Sequence, residues 1–352
     1  MSAATPERLR VAMATPLGKP QCDRLLQLEP RIDLLWDPSL MPAMRHATDY
    51  RGDPDFARTP AQTTAFERLL DSADALFGIP DLSPDALRRA VRANPRLRWV
   101  QTMAAGGGAQ VRVAGLDAHE LERVVFTTSA GVHGGPLSEF ALLGLLAGAK
   151  NLPRLRSQQA EHAWAGWEMN QLSQQTIVVI GLGGIGSALV RLVKALGCRV
   201  IGTSRTGLPV DGVDELVHPD ELDSVVARAD AVVVTLPGTD ATAGLIGEGF
   251  FAALKPGATF VNVGRGSVVD ETALTAALRS GRVGFAALDV FEREPLETAS
   301  ALWDMPNVLI SPHTAAASGN EPDLIIDLFA HNAASLLDGR PLKNVVNTVE
   351  FY

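Results

Sequence analysis

Three polar residues in the second half of the chain each stand shortly after an apolar, strand-like run: Arg265 in Asn262-Val-Gly-Arg-Gly266, Glu294 in Asp289-Val-Phe-Glu-Arg-Glu-Pro295, and His313 in Ser311-Pro-His-Thr314. Open α/β sheets hold their ligands beyond the carboxyl ends of strands, so these positions are candidates for chemistry. An arginine between two glycines behind a buried strand has no packing reason to be there. Its planar fork matches a carboxylate and stays charged at any working pH. A histidine gives or takes a proton near neutrality, as reduction of a carbonyl to an alcohol requires. Glu294 is a candidate to hydrogen-bond the far ring nitrogen of that histidine, fixing its tautomer and favouring the protonated ring. Each residue has a plain alternative when taken singly: a solvated loop arginine, a structural histidine, a glutamate in a turn before proline.

A fourth feature takes a larger ligand. The run Thr176-Ile-Val-Val-Ile-Gly-Leu-Gly-Gly-Ile-Gly186 carries an apolar strand into a glycine turn and then a helix, roughly Gly184 to Leu196. Gly181 suits the tight turn, Gly183 the approach of backbone to a pyrophosphate, and Gly186 the close packing of helix on strand. The amides of the helix start, Gly184 and Ile185 included, face the phosphates of a bound dinucleotide. The next strand closes as Val200-Ile-Gly-Thr-Ser-Arg-Thr206, with no acid to accept hydrogen bonds from a ribose 2′-OH. Ser204 and Arg205 stand there instead, and a neutral residue followed by a cation suits a 2′-phosphate. The cofactor expected is therefore NADP, with NAD the weaker choice.

Composition narrows the class. A chain of 352 residues with 46% hydrophobic content supplies two cores rather than one. Cys22 and Cys198 are the only cysteines and lie far apart, so no metal site is implied and a reducing cytoplasm is expected. The N-terminus has no basic segment leading into an apolar stretch, and no run reaches the ~18 apolar residues of a membrane helix. A formal charge of −9 disfavours nucleic acid as a partner. An anionic ligand needs locally placed cations.

The elements that must position these residues come in two sets. Leu9–Ala14, Ile32–Trp36, Ala73–Gly78, Leu97–Thr102 and Val124–Thr127 read as strands, with helices at Gln21–Leu28 and Pro84–Ala93. After Thr176 the alternation resumes, with strands at Arg199–Thr203, Ala231–Leu236, Thr259–Val263, Phe285–Leu288 and Val308–Ile310. Helices at Glu221–Arg228, Gly249–Leu254 and Glu271–Arg279 separate them. Alternation of this kind predicts parallel sheets with crossover helices. A Pro/Asp-rich stretch, Asp37–Gln62, interrupts the first set as a surface excursion or a flap near a site. Between the sets Ser138–Lys150 is apolar nearly all round, with Ser138 and Glu139 as its helix-initiating residues; it reads equally as a core helix or a subunit contact. A last helix, roughly Pro322 to Leu337, leads to Asn344–Val349, which is expected to return to the first domain. The organisation predicted is one discontinuous domain, 1–135 with 320–352, around a continuous one, 136–319, with a cleft between them.

The glycine turn, Leu236-Pro237, Asn262–Asp270, Leu288–Leu296, Pro306–His313 and Pro341–Val346 stand in the order of the blocks of the D-isomer-specific 2-hydroxyacid dehydrogenase family and resemble them along most of the chain. The resemblance implies an α/β protein of two doubly wound parallel-sheet domains, a Rossmann NAD(P)-binding domain inserted in a flavodoxin-like substrate domain. It also implies a catalytic set of Arg265, Glu294 and His313. Asp289 matches the family's acidic residue near the nicotinamide, and Leu236, Pro237 and Val263 fall in blocks that border the cofactor. Trp99-Val-Gln-Thr-Met-Ala-Ala-Gly-Gly-Gly108 is similar to the substrate-carboxylate loop, with Ala105, Gly106 and Gly107 as backbone donors beside Arg265. It departs from the usual pattern, in which valine and aspartate follow the first glycine. Gly131-Val-His-Gly-Gly-Pro136 resembles a block near the domain boundary, where His133 reads as structural.

The activity implied is reduction of a small 2-oxo acid to the D-2-hydroxy acid, and the reverse, by a cytoplasmic homodimer similar to glyoxylate/hydroxypyruvate reductases. Members acting on phosphorylated substrates carry an arginine just after the strand that here ends in Gly78-Ile-Pro80, and this chain has none there. Formate dehydrogenases carry Gln where this chain has Glu294. Two other readings stay open: a dinucleotide-sensing corepressor on the same fold, and a nicotinamide enzyme oxidising an inorganic or one-carbon anion.

Overall fold

Among the residues described by the computed structural model, 8–205 and 207–351, twelve strands form two sheets, and every strand pairing in both is parallel. The first sheet contains β1 (Leu9–Met13), β2 (Ile32–Leu35), β3 (Ala75–Phe77), β4 (Trp99–Gln101) and β5 (Val125–Thr127), in the order β2-β1-β3-β4-β5. That order is the flavodoxin-like one. The second contains β6 (Thr176–Ile180), β7 (Arg199–Thr203), β8 (Glu215–Val217), β9 (Ala231–Val234), β10 (Ala258–Asn262), β11 (Val283–Leu288) and β12 (Val308–Ile310), in the order β12-β11-β10-β9-β6-β7-β8. Counted from β6, this is the 3-2-1-4-5-6 order of dinucleotide-binding sheets with a seventh strand at one edge. The chain divides into two compact units, one running through Val132 and resuming at Ala317, the other His133–Ala316.

In the second unit the sheet is covered on both faces, and the side chains show it. Val178 and Ile180 of β6 pack into one core with Val232, Val234 and Phe260, whereas Ile177 and Val179 pack into another with Ala231, Val233 and Val261. Alternate residues of a strand point to opposite faces, so a doubly covered parallel strand must be apolar throughout.

The helix Gly134–Ala149 covers one face of this sheet. It begins four residues ahead of the start expected at Ser138. Ser138 lies inside the helix and its hydroxyl donates to the Gly135 carbonyl at 2.7 Å, so it is not a cap. Pro136 is at home in a first helical turn, and the Gly134-Gly135 pair ahead of it is helical. A Cβ on Gly144 would lie 2.6 Å from the Ala287 Cβ, and one on Gly148 would lie 2.0 Å from the Thr259 hydroxyl. Glycine is required at both positions because the helix sits directly on β10 and β11. The helix is thus a core helix of its unit, although Leu143 and Leu146 remain exposed.

The excursion Asp37–Gln62 folds onto its own unit, with Leu40, Met41 and Tyr50 in the core. Asp49 is buried, accepts from Arg45 and from the Gly52 amide, and its carboxyl is held well below the usual range, above all by Arg45. Arg58 donates to the Leu40 carbonyl and to Asp81 while its guanidinium stacks over Phe66 at 3.9 Å. The last residues of the excursion begin a helix, Pro60–Asp71, opened by a reciprocal cap: Thr59 Oγ1 accepts from the Gln62 amide and Gln62 Oε1 from the Thr59 amide.

In the first unit the helix Glu321–Leu337 supplies Ile325, Ile326 and Phe329 to the core, and Phe329 stacks on Trp99 at 4.3 Å between ring centroids. The chain then pairs with the edge of β5, the Val346 amide donating to the Phe126 carbonyl. Phe329 is fully buried, so Phe329→Ala is expected to destabilise this unit by about 3–5 kcal/mol. Urea unfolding followed by tryptophan fluorescence checks it.

Candidate active site

The glycine turn of the second unit divides its labour in the way its spacing predicts. Gly181 holds φ of 100°, a conformation that disfavours any side chain. A Cβ on Gly186 would sit 2.0 Å from the Gly181 carbonyl oxygen, whereas one on Gly183 would meet no atom within 4 Å. The open side of Gly183 is the room a pyrophosphate needs. The helix Gly184–Ala195 begins there with no side-chain cap, which leaves its first amides for an anion. Two hydroxyls that the sequence reading missed brace the turn. Thr235 Oγ1 donates to the Gly181 carbonyl at 2.6 Å, and the Gly181 amide donates to Thr203 Oγ1 at 3.1 Å. Thr203 ends β7 and Thr235 directly follows β9, the two strands beside β6, a placement visible only once the strand order is known. The turn fits a dinucleotide.

Beyond β7, Ser204 is half-buried and its amide donates to the Val217 carbonyl, Arg205 is exposed, and Thr206 lies outside the described residues. Leu236 and Pro237 follow β9. Gly264 lies against them so closely that a Cβ would be 2.6 Å from the Leu236 carbonyl oxygen. Val263 has its side chain in the core and its amide on the Val234 carbonyl.

Arg265 follows β10 in extended conformation, within a loop closed by Asn262, whose side chain accepts from the Gly264 amide and donates to the Arg265 carbonyl. Its guanidinium donates to the Gly264 carbonyl at 2.7 Å. Burial pulls the guanidinium pKa down, while the carboxylates of Glu294 and Asp289 oppose that shift. A cation largely out of water, with donors left over, is prepared for an anionic ligand. Gly266 brings the next loop against it: a Cβ there would lie 1.8 Å from the Phe291 carbonyl oxygen.

His313 and Glu294 meet as expected. The His313 Nδ1 lies 2.7 Å from Glu294 Oε2, and Glu294 Oε1 accepts from the Phe291 amide at 3.1 Å. The carboxylate is fixed at both oxygens, so the ring is fixed at one nitrogen. Nε2 has no partner among the described residues and the side chain is 46% exposed, as a group that exchanges a proton with a substrate must be. Asp289 is buried, with Oδ1 accepting from the Ser311 hydroxyl and from the amides of Thr314 and Ala315.

Within the first unit, the loop after β4 gives its three candidates different situations. A Cβ on Gly107 would overlap the Thr102 hydroxyl at 1.8 Å, and the Gly107 amide already donates to the Ala104 carbonyl. The amides of Ala105 and Gly106 have no acceptor among the described residues. His133 stands at the N-cap of the helix Gly134–Ala149 without a side-chain capping bond. Among the described residues no group of three or more His, Cys, Asp or Glu is arranged to hold a metal ion, and no helix is long and apolar enough to cross a membrane.

Comparison with known proteins follows the same lines. The family model of the D-isomer specific 2-hydroxyacid dehydrogenase NAD binding domain matches residues 142–315. The glyoxylate reductase of Aeropyrum pernix is 32% identical over 307 residues, which are 81% of this chain and 87% of that protein. The D-3-phosphoglycerate dehydrogenase of Mycobacterium bovis is 31% identical over 277 residues, 78% of this chain; the chain spans only 51% of that protein's length. Among solved structures, a D-isomer specific 2-hydroxyacid dehydrogenase from Xanthobacter autotrophicus Py2, in complex with NADPH and MES, matches with a TM-score of 0.78 at 28% identity, over 98% of this chain and 100% of that one.

The Gly266 contact yields a test. Gly266→Ala has no room against the Phe291 backbone and must part the Arg265 loop from the loop that carries Glu294. Displacement of about 1 Å at a reacting group costs roughly 100-fold, so kcat/KM is expected to fall by about that factor. Steady-state kinetics with NADPH, alongside a thermal melt to check folding, reads it.

Proposed function

Because the chain belongs to the D-isomer-specific 2-hydroxyacid dehydrogenase family and is an NAD(P)-dependent oxidoreductase of 2-oxo acids, we propose that its substrate is small and unphosphorylated, such as glyoxylate or hydroxypyruvate, and that NADPH is its preferred donor. The observation that carries the reading is the short His313–Glu294 pair in the same unit as a half-buried arginine and an uncapped glycine turn.

In this reading the unit His133–Ala316 holds the dinucleotide, and the loop after β4 in the other unit offers the amides of Ala105 and Gly106 to a carboxylate; Gly107, expected as a third donor, spends its amide on the Ala104 carbonyl and serves the turn instead. Gly181, Gly183, Gly184, Ile185 and Gly186 receive the pyrophosphate, Leu236, Pro237, Val263 and Asp289 border the nicotinamide end, and Ser204 with Arg205 receives the 2′-phosphate. The hydride for the carbonyl carbon is what the bound reduced nicotinamide supplies. His313 gives its Nε2 proton to the carbonyl oxygen as negative charge grows there. Arg265 stabilises that charge and grips the substrate, because its guanidinium is attracted to oxygen anions and has little water to lose. Glu294 holds the ring in the tautomer that presents Nε2 and stabilises the imidazolium before transfer. In the oxidative direction His313 accepts the proton.

The NADPH preference rests on the absence of an acid after β7 and the presence of Arg205. We take the working form to be a cytoplasmic homodimer. Cys22 and Cys198 are free, buried thiols, as a reducing compartment keeps them, and Leu143 and Leu146 are exposed apolar side chains on the helix Gly134–Ala149.

Two measurements test the proposal. Absorbance at ~340 nm against a panel of 2-oxo acids should show turnover with the smallest unphosphorylated ones and a higher kcat/KM with NADPH than with NADH; the opposite cofactor ranking would remove Ser204 and Arg205 from their role. His313→Ala should lose about 10²–10⁴ in kcat while still binding NADPH, the range for a positioned proton donor. Near-normal kcat in that variant would sink the mechanism.

A further inference from the structure

The contact between His313 and Glu294 depends on a backbone shape that histidine does not favour. His313 holds φ of 55°, in the left-handed region where a Cβ is crowded. A residue keeps such a conformation only where its surroundings over-determine it. Here they consist chiefly of one carboxylate and one hydroxyl at the ends of adjacent strands. Asp289, just after β11, takes three hydrogen bonds on a single oxygen, Oδ1: from Ser311 Oγ at 2.6 Å, the Thr314 amide at 3.0 Å and the Ala315 amide at 2.9 Å. Its carbonyl oxygen accepts the His313 amide at 3.0 Å, and the same amide lies 3.0 Å from the Ser311 carbonyl oxygen. Ser311 follows β12, is buried, and its amide continues the ladder onto the Leu288 carbonyl. The chain is therefore tied to Asp289 two residues before His313, at His313 and immediately after it.

We propose that Ser311 is a positioning residue of the reaction: its hydroxyl holds the Asp289 carboxylate in the rotamer that reaches the Thr314 and Ala315 amides, and so bends the chain to bring the His313 ring to Glu294. The proposal rests on the 2-oxo acid reductase reading above. Ser311 touches none of the reacting groups. Without its hydroxyl, Asp289 keeps two amide bonds but loses the shortest of the three, along with the only one that links it to the strand end before the bend. Its side chain regains rotational freedom, and the left-handed turn loses one of its restraints.

The test uses the full-length protein with NADPH and glyoxylate. Ser311→Ala and Ser311→Cys, the second close in volume but a weak donor, should lower kcat by about 10–100-fold with KM for glyoxylate and the Kd for NADPH changed less than about 3-fold, the signature of a misplaced proton donor. Ser311→Thr, which keeps the hydroxyl, should recover most of the rate. An independent readout needs no turnover. The hydrogen-bonded ring N–H proton of His313, assigned by its disappearance in His313→Ala, should be present in wild type and Ser311→Thr and absent from the alanine and cysteine variants. Thermal melts separate these effects from unfolding, and the cysteine variant stands in should the alanine variant fail to fold. Wild-type kcat in the alanine or cysteine variant, or an unchanged ring N–H proton in either, overturns the proposal. A wild-type protein that turns over no 2-oxo acid instead overturns the reductase reading and leaves the ring proton to decide on Ser311.

Discussion

A guanidinium mostly removed from water is the constraint around which the second unit's ligand-facing end is arranged. Burial lowers the Arg265 guanidinium pKa, and the carboxylates of Glu294 and Asp289 oppose that shift, so the group keeps its charge. Neither carboxylate is free to serve the arginine alone. Glu294 spends both oxygens on the Phe291 amide and the His313 ring, and Asp289 spends Oδ1 on the loop that follows β12. The Arg265 guanidinium and the His313 imidazole therefore share their counter-charges. A change to either acid reaches both.

The loops are brought this close by missing side chains rather than by long ones. Gly264 lies on the Leu236 backbone and Gly266 on the Phe291 backbone, so the loops after β9, β10 and β11 touch main chain to main chain. Packing of this kind has no rotamers to adjust and transmits displacement directly. The same device operates away from the chemistry, where Gly144 and Gly148 let a helix rest on β10 and β11. Close contact beneath the sheet and at its end together limit how far the loops that carry Arg265 and Glu294 can shift.

Much of this was legible in the residues. Continuous apolar runs, the glycine spacing and the punctuation between them located both sheets and the residues beyond their strands, because those signals are local. What escaped was of two kinds. Weak local signals were outweighed: the short edge strand β8 has no fully buried residue, the helix Pro60–Asp71 was hidden by the Pro/Asp-rich stretch before it although Thr59-Pro-Ala-Gln62 is a readable cap, and the first turn of the helix Gly134–Ala149 lies ahead of the Ser138-Glu139 pair that suggested its start. The other kind was non-local. That Thr203 and Thr235 brace one glycine, and that Asp289 serves the loop containing His313 with three hydrogen bonds, follows from which strands are neighbours. Single residues announced themselves, whereas the partners that hold them did not.

The stacking of Phe329 on Trp99 bears on how the chain comes off the ribosome. Trp99 is made early and its cover late, with the whole of His133–Ala316 synthesised between them. The inserted unit is complete in the nascent chain while the flanking one still lacks its last helix and the segment that seals β5. Since domains generally fold as units during synthesis, the cofactor-binding half is free to assemble first. An indole in an unfinished sheet must wait, and chaperones that shield apolar surface have their natural window over that interval.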